Sequence, residues 1–253
     1  MKRTLIIAGL MILCLLSFIN VTNALDFRAL YAPMSKHEVR FVSLGWAAVI
    51  INTTKGTIIV DPASFLGDKD IEQLKAGGLN LILYTHSHGY LSYGAVKLFK
   101  GTNAPVLAES TVAELLSYKI PTEKVTIGKP GETYNFGDFK INVIKGKHGV
   151  PANLYQIEIE DLTLLLGGGT DYVPLKDYPS DIAFLPTGSH NPRTCSPEDA
   201  FKMLLDLKSP VTVPVHGYGP DKAKFKEIVE KNLPDTKVII PVRGLVTTIN
   251  ISK

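Results

Sequence analysis

The chain has 253 residues, 45% of them hydrophobic, and its 27 Lys and Arg against 24 Asp and Glu leave a formal net charge of +3. So weak a charge, which falls to +1 if Lys2 and Arg3 leave with the first 24 residues, gives no electrostatic footprint for nucleic acid, and no such partner is expected. Only Cys14 and Cys195 are available for a disulfide, and Cys195 alone remains without the first 24 residues, so an apolar core must hold the fold.

Lys2 and Arg3 precede a mostly apolar run from Leu5 to Ile19 and a polar stretch ending in Thr22-Asn23-Ala24. This is the layout of a secretory signal peptide over residues 1–24, with small residues placed for cleavage after Ala24. The apolar run is shorter than the roughly 20 residues of a relaxed membrane span, so a secreted or periplasmic protein without stable membrane insertion is expected; an uncleaved anchor is the alternative. Leu13 ahead of Cys14 is too bulky for lipoprotein processing. Residues 25–253 read as one domain, since no low-complexity linker divides them.

Short β-branched runs split by turns predict strands over 38–43, 47–52 and 57–60, a meander ending at Asp61-Pro62. A short helix over 71–76 leads to a buried strand over 79–84 and a helix over 93–99. Then come a strand over 105–108, a helix over 110–118 capped by Ser110 or Thr111, and a strand over 124–127. The middle turns strongly β, with strands over 132–136, 139–144, 154–160 and 162–166 and bends at Gly137-Asp138 and Glu160-Asp161. A strand over 182–185 precedes a helix from Ser196, the cap, and Pro197, in the first turn, to Leu207. A strand over 211–215, a helix over 221–231 and strands over 238–241 and 245–249 close the chain. Two β-rich halves, each followed by αβ elements, imply two face-to-face sheets with helices outside.

Of six histidines, four fall at ends of predicted strands: His86, His88, His148 and His216. A lone histidine there is most often a polar loop residue, but a His-x-His pair can turn both imidazoles toward one divalent transition metal. Two further strand-end histidines make the set read as a site. Open α/β sheets hold ligands at such strand ends.

Taken in order, Gly45 with its apolar strand, Gly56-Thr57-Ile58-Ile59-Val60-Asp61-Pro62, Thr85-His86-Ser87-His88-Gly89, His148, Leu166-Gly167-Gly168-Gly169-Thr170, Leu185-Pro186-Thr187-Gly188 and Val213-Pro214-Val215-His216 resemble the metallo-β-lactamase superfamily. The branch they resemble most is the metal-dependent hydrolases similar to ascorbate-6-phosphate lactonases. The resemblance implies an α/β fold, an αββα sandwich of two mixed β-sheets flanked by helices, with its site at one sheet edge. Against the family motif Thr-His-x-His-x-Asp-His, His86, His88 and His148 match the three ligands of the first metal site. The second site is degenerate: Tyr90 stands for its Asp, Leu91 for a His, and Gly169 for the bridging carboxylate, leaving His216. The resemblance thus implies one zinc ion rather than two, with Asp61 orienting the ligating histidines and His216 and Tyr90 as catalytic candidates.

Three imidazoles with one open position suit hydrolysis of a small-molecule ester, lactone or similar substrate by a metal-activated water. A catalytically inactive relative that binds a small ligand or protein partner is the alternative, and metal-free catalysis by the histidines and Tyr90 ranks last. Tyr90 reads equally as an oxyanion donor and as filler for a lost metal. Asp171 stands two residues from Gly169, where a shifted loop would restore a carboxylate. The three glycines lack the flanking Lys-Ser/Thr of a nucleotide loop and read as turn packing. His190 reads as an exposed loop residue near the site, and Trp46 as pocket wall or core. Cys195, just ahead of a helix start, is placed for a lowered thiol pKa. Oligomeric state is not legible.

Overall fold

The computed structural model describes residues 25–62, 65–188 and 194–253, and the backbone alone of 89–93. The expected signal peptide and His190 lie outside the described residues.

Two seven-stranded mixed sheets pack face to face. The first runs β14 (Val246–Asn250), β1 (Glu38–Gly45), β2 (Ala48–Thr53), β3 (Gly56–Val60), β4 (Leu79–Tyr84), β5 (Val106–Ala108), β6 (Val125–Ile127). The second runs β13 (Lys237–Val238), β12 (Val211–Val215), β11 (Ile182–Pro186), β10 (Leu162–Leu166), β9 (Asn153–Ile159), β8 (Phe139–Lys145), β7 (Thr133–Phe136). Each sheet begins as an antiparallel meander and continues with parallel strands, the switch falling at β3–β4 and at β10–β11.

Alternation along the strands sorts side chains between layers. In β2, Ala48 and Ile50 enter the core under the outer helices while Val49 and Ile51 enter the core between the sheets. Helices α1 (Asp68–Ala76), α2 (Gly89–Thr102) and α3 (Ser110–Ser117) cover the first sheet through Leu74, Leu98 and Leu116. Helices α4 (Pro197–Leu207) and α5 (Gly219–Asn232) cover the second through Met203, Leu204 and Phe225. This is the expected αββα order, with three apolar layers in place of disulfides.

Most predicted elements lie within a few residues of the observed ones, and Ser196 caps α4 by accepting from the Asp199 N–H at 3.1 Å. The cap of α3 is different: Glu109, not Ser110 or Thr111, accepts from the Thr111 N–H at 3.0 Å. A buried carboxylate there answers the helix N-terminus better than a hydroxyl. The strand expected over 238–241 shrinks to Lys237–Val238, because residues 239–245 leave the second sheet to cross to β14 in the first.

Candidate metal centre

The site sits where several strands end together. Asp61 follows β3, Thr85 and His86 follow β4, His148 lies between β8 and β9, Gly169 follows β10, and His216 follows β12. The two sheets are pinned there by the Asn153 N–H donating to the Thr85 carbonyl at 2.8 Å and the Tyr155 hydroxyl donating to the Tyr84 carbonyl at 2.7 Å.

One candidate ligand atom each from His86, His88 and His148 lies within 4.8 Å of the others, a spacing a single ion can span. His86 Nε2 is 2.7 Å from His88 Nδ1, and His148 Nε2 is 3.3 Å from His88 Nε2. The rings meet edge to face, with centroids 4.4 to 4.9 Å apart. Burial holds His86 well below the usual imidazole pKa, and the neighbouring His148, His88 and His216 push it the same way. A buried neutral imidazole is the form that binds a metal.

Which nitrogen of His86 is bare is set behind it. Thr85 Oγ1 donates to Asp61 Oδ2 at 2.5 Å, so its oxygen is left to accept from His86 Nδ1 at 2.8 Å. Nδ1 then carries the proton and Nε2 presents its lone pair to the other histidines. Asp61 is fully buried and also accepts the Thr85 N–H at 2.8 Å. Burial pushes its carboxyl up to about 7 against the two Thr85 hydrogen bonds, and a cation at the histidines would favour the ionised form that keeps this tautomer. The donor set, the tautomer and the burial fit a late divalent metal.

Three glycines let these parts approach. A Cβ on Gly168, whose φ is +57°, would lie 2.6 Å from Thr85 Oγ1, and one on Gly167 would lie 2.7 Å from Pro186. The run is packing, as expected, not an anion cradle. A Cβ on Gly169 would lie 3.2 Å from His86 Cε1 and 3.3 Å from His216 Nε2, so position 169 faces both imidazoles and offers neither a carboxylate. Asp171 does not replace it. Its carboxylate pairs with Lys147 Nζ at 2.8 Å and its N–H donates to the Lys147 carbonyl, which fastens the His148 loop to the glycine loop.

His216 is buried and left-handed at φ +45°; its N–H donates to the Trp46 carbonyl at 2.9 Å. Trp46 is no core residue: 41% exposed, it packs its ring 5.3 Å from His216 and 6.0 Å from Tyr218. Trp46, Asp61 and His216 are three of seven described non-glycine residues with left-handed backbone, so strain gathers at this edge. Tyr90 and Leu91 fall in the first turn of α2, and their side chains lie outside the described residues. Cys195 corrects the expectation of a reactive thiol: burial pushes it up, the carboxylates Asp171 and Asp199 add to this, and its Sγ faces Met203 at 3.3 Å. Sequence reasoning assigned no role to Thr85, although its place at the head of the histidine motif was the signal, and it missed Tyr218, two residues past His216.

Residues 40–216 match the family described as the beta-lactamase superfamily domain. A UPF0173 metal-dependent hydrolase of Thermoplasma acidophilum is 30% identical over 208 residues, 74% of this chain and 88% of the relative. One from Thermococcus onnurineus is 31% identical over 218 residues, 76% and 92% of the two chains. Igni18, a metallo hydrolase from Ignicoccus hospitalis, shares the fold with a TM-score of 0.72 at 21% identity, covering 85% of this chain and all of its own. YhfI, a metallo-beta-lactamase fold protein from Bacillus subtilis, matches with a TM-score of 0.70 at 12% identity over 84% of this chain. Fold, histidine set and sequence agree, and the chain belongs to the metallo-β-lactamase superfamily of metal-dependent hydrolases.

Proposed function

We propose that this protein hydrolyses a small ester, lactone or similar substrate with one zinc ion held by His86, His88 and His148. The observation that carries the reading is the convergence of three imidazole ligand atoms within 4.8 Å, with no carboxylate at position 169 to bridge a second ion. When bound, zinc supplies Lewis acidity that polarises a carbonyl and makes water nucleophilic near neutral pH. Asp61 and Thr85 hold the His86 tautomer. His216 Nε2, across position 169 from His86, is placed to hold a proton or donate a hydrogen bond to the substrate. Tyr90 completes the catalytic candidates on the strength of its place in the motif. The N-terminal segment fits a protein delivered outside the cytoplasm.

The test is zinc content after desalting, with an ester and lactone screen, for the wild type beside His86→Ala/His88→Ala. One zinc per chain and a chelation-sensitive turnover, both lost in the variant, are expected. Turnover that survives both chelation and the substitutions would sink the reading. A second reading, an inactive relative that binds a small ligand or partner, is favoured by the missing carboxylate and the engagement of Asp171 with Lys147. Zinc-dependent turnover abolished by His148→Ala would exclude it.

A further inference from the structure

The edge that carries the histidines also gathers exposed apolar side chains. Among the described residues nine large apolar side chains are exposed, and five belong to this edge: Trp46 in the β1–β2 turn, Tyr218 after His216, and Ile240, Val242 and Leu245 in the crossing from β13 to β14. A concentration of that kind marks an interaction surface, whereas single exposed apolar residues need no explanation. The segments touch one another. The Trp46 and Tyr218 rings are 6.0 Å apart, and the Gly244 N–H donates to the Ser43 carbonyl at 2.9 Å. Arg243, exposed and without an ion pair among the described residues, lies over the Phe65 ring at 5.1 Å and against Gly45.

The chain enters the domain at the same place. A Cβ on Gly244 would lie 3.0 Å from Leu25 Cδ2, and the Leu25 N–H donates to Asp70 at the start of α1 at 2.8 Å. Ahead of Leu25 come the 24 residues that include the apolar run Leu5 to Ile19. Aromatic rings beside aliphatic side chains, with an arginine able to reach phosphate, are the composition of a bilayer-interface contact. The opposite edge is studded with Lys36, Lys55, Glu160, Asp161 and Lys253, which suits a face turned to water.

We infer that the histidine-bearing edge docks on a lipid bilayer, with Trp46, Tyr218, Val242 and Leu245 at headgroup level and Arg243 among the phosphates. The docking itself does not depend on hydrolysis. The consequence for substrate does rest on the hydrolase reading: the ester or lactone is amphiphilic and reaches His86 and His216 from the membrane phase.

Trp46 is the single tryptophan of the chain and therefore reports on this edge alone. The full chain is reconstituted into vesicles of phosphatidylcholine and phosphatidylglycerol, with and without bromine on the acyl chains, in the absence of substrate. Apolar groups of docked proteins sink about 5–10 Å toward the acyl boundary, so bromolipid is expected to quench Trp46 emission at least about twofold. Val242→Ser/Leu245→Ser, with unchanged circular dichroism, should lose most of that quenching, while Leu205→Ser on α4 keeps it. Unquenched emission in the wild type overturns the proposal, whether the edge stands in water or is covered by a second copy. Equal quenching in wild type and double variant overturns it too. Because no turnover is read, failure here leaves the hydrolase reading standing, and failure of that reading leaves docking to be judged by the quenching.

Discussion

The two ends of the sandwich are made by the same strands and differ in what their turns carry. At one end the turns at Lys55, Asp138 and Glu160-Asp161 are exposed hairpins whose polar groups meet across short solvated distances: Lys55 pairs with Glu160 at 3.0 Å and Lys253 with Asp181 at 2.9 Å, and His37 is hydrogen-bonded to Asp161 at 2.8 Å. At the other end, beside exposed groups such as Lys147, several polar groups are buried. Asp61, His86 and His216 are nearly or fully inaccessible, and each depends on a specific neighbour. Exposed pairs contribute little because water is a ready substitute, whereas buried polar groups cost a great deal when a partner goes. Sensitivity to change should therefore be concentrated at the histidine edge.

The sharpest contrast is in pH. Asp61 is raised to about 7 in the folded protein from 3.8, so between those values the folded state holds a proton that the unfolded chain has released. Stability from this group is complete below about pH 4 and is lost as pH rises through about 7, on the order of 4 kcal/mol over the whole window. At the other edge the sign reverses. Burial pushes Asp161 up, but the His37 hydrogen bond and the nearby Lys36 outweigh it and hold the carboxyl below its ordinary value, so its small contribution is lost on acidification. His86, held well below its ordinary value, works the other way and destabilises the fold on acidification, so the Asp61 loss is read as a difference: in urea unfolding of chelated protein, the wild type should lose stability relative to Asp61→Asn between pH 4.5 and pH 8. A difference between wild type and variant that stays constant from pH 4.5 to pH 8 would erase the contrast.

Next in size is Gly168→Ala. It places a methyl group where only 2.6 Å separates a Cβ from Thr85 Oγ1, on a backbone at φ +57°. Displacing Thr85 frees the His86 ring, and disturbing such supporting contacts typically costs about 10–100-fold in metal affinity. Competition with a chromogenic zinc chelator measures it. Gly137→Ala, at φ +59° but with nothing within 4 Å, carries the backbone strain without the contact and should leave zinc affinity unchanged.

What was legible in the chain follows the same division. Strand order and layers could be read because short, nearly continuous buried runs such as Leu79 to Tyr84 and Val211 to Val215 are bounded by turn residues. The histidine set was legible because its members stand at strand ends in motif order. The role of Asp171 was not, since its pairing with Lys147 joins two loops 24 positions apart, and nothing local to either announces it. Cys195 was misread for a related reason. The helix start beside it is local, but the apolar layer of Met203 and Leu204 that buries it is made by tertiary packing.

Cys195 provides a third test. Fully buried and pushed up by that burial, it should resist iodoacetamide in the native protein at pH 8 and react once urea unfolds the chain, as mass spectrometry would read. Labelling of the native protein at the rate of a free thiol would mean that the layer beneath the glycine loop opens. The smallest effect is expected from Asp161→Ala. This residue pairs with Lys36 at 3.4 Å and is hydrogen-bonded to His37 at 2.8 Å, and is thus the best-connected acid of the outer edge. It is nevertheless about half exposed, with its partners able to turn to water, so its removal should leave the thermal midpoint unchanged within measurement and zinc affinity unaltered. A large drop in either would show that the charged turns support the histidine edge through the strands between them, and that the two ends of the sandwich are not independent.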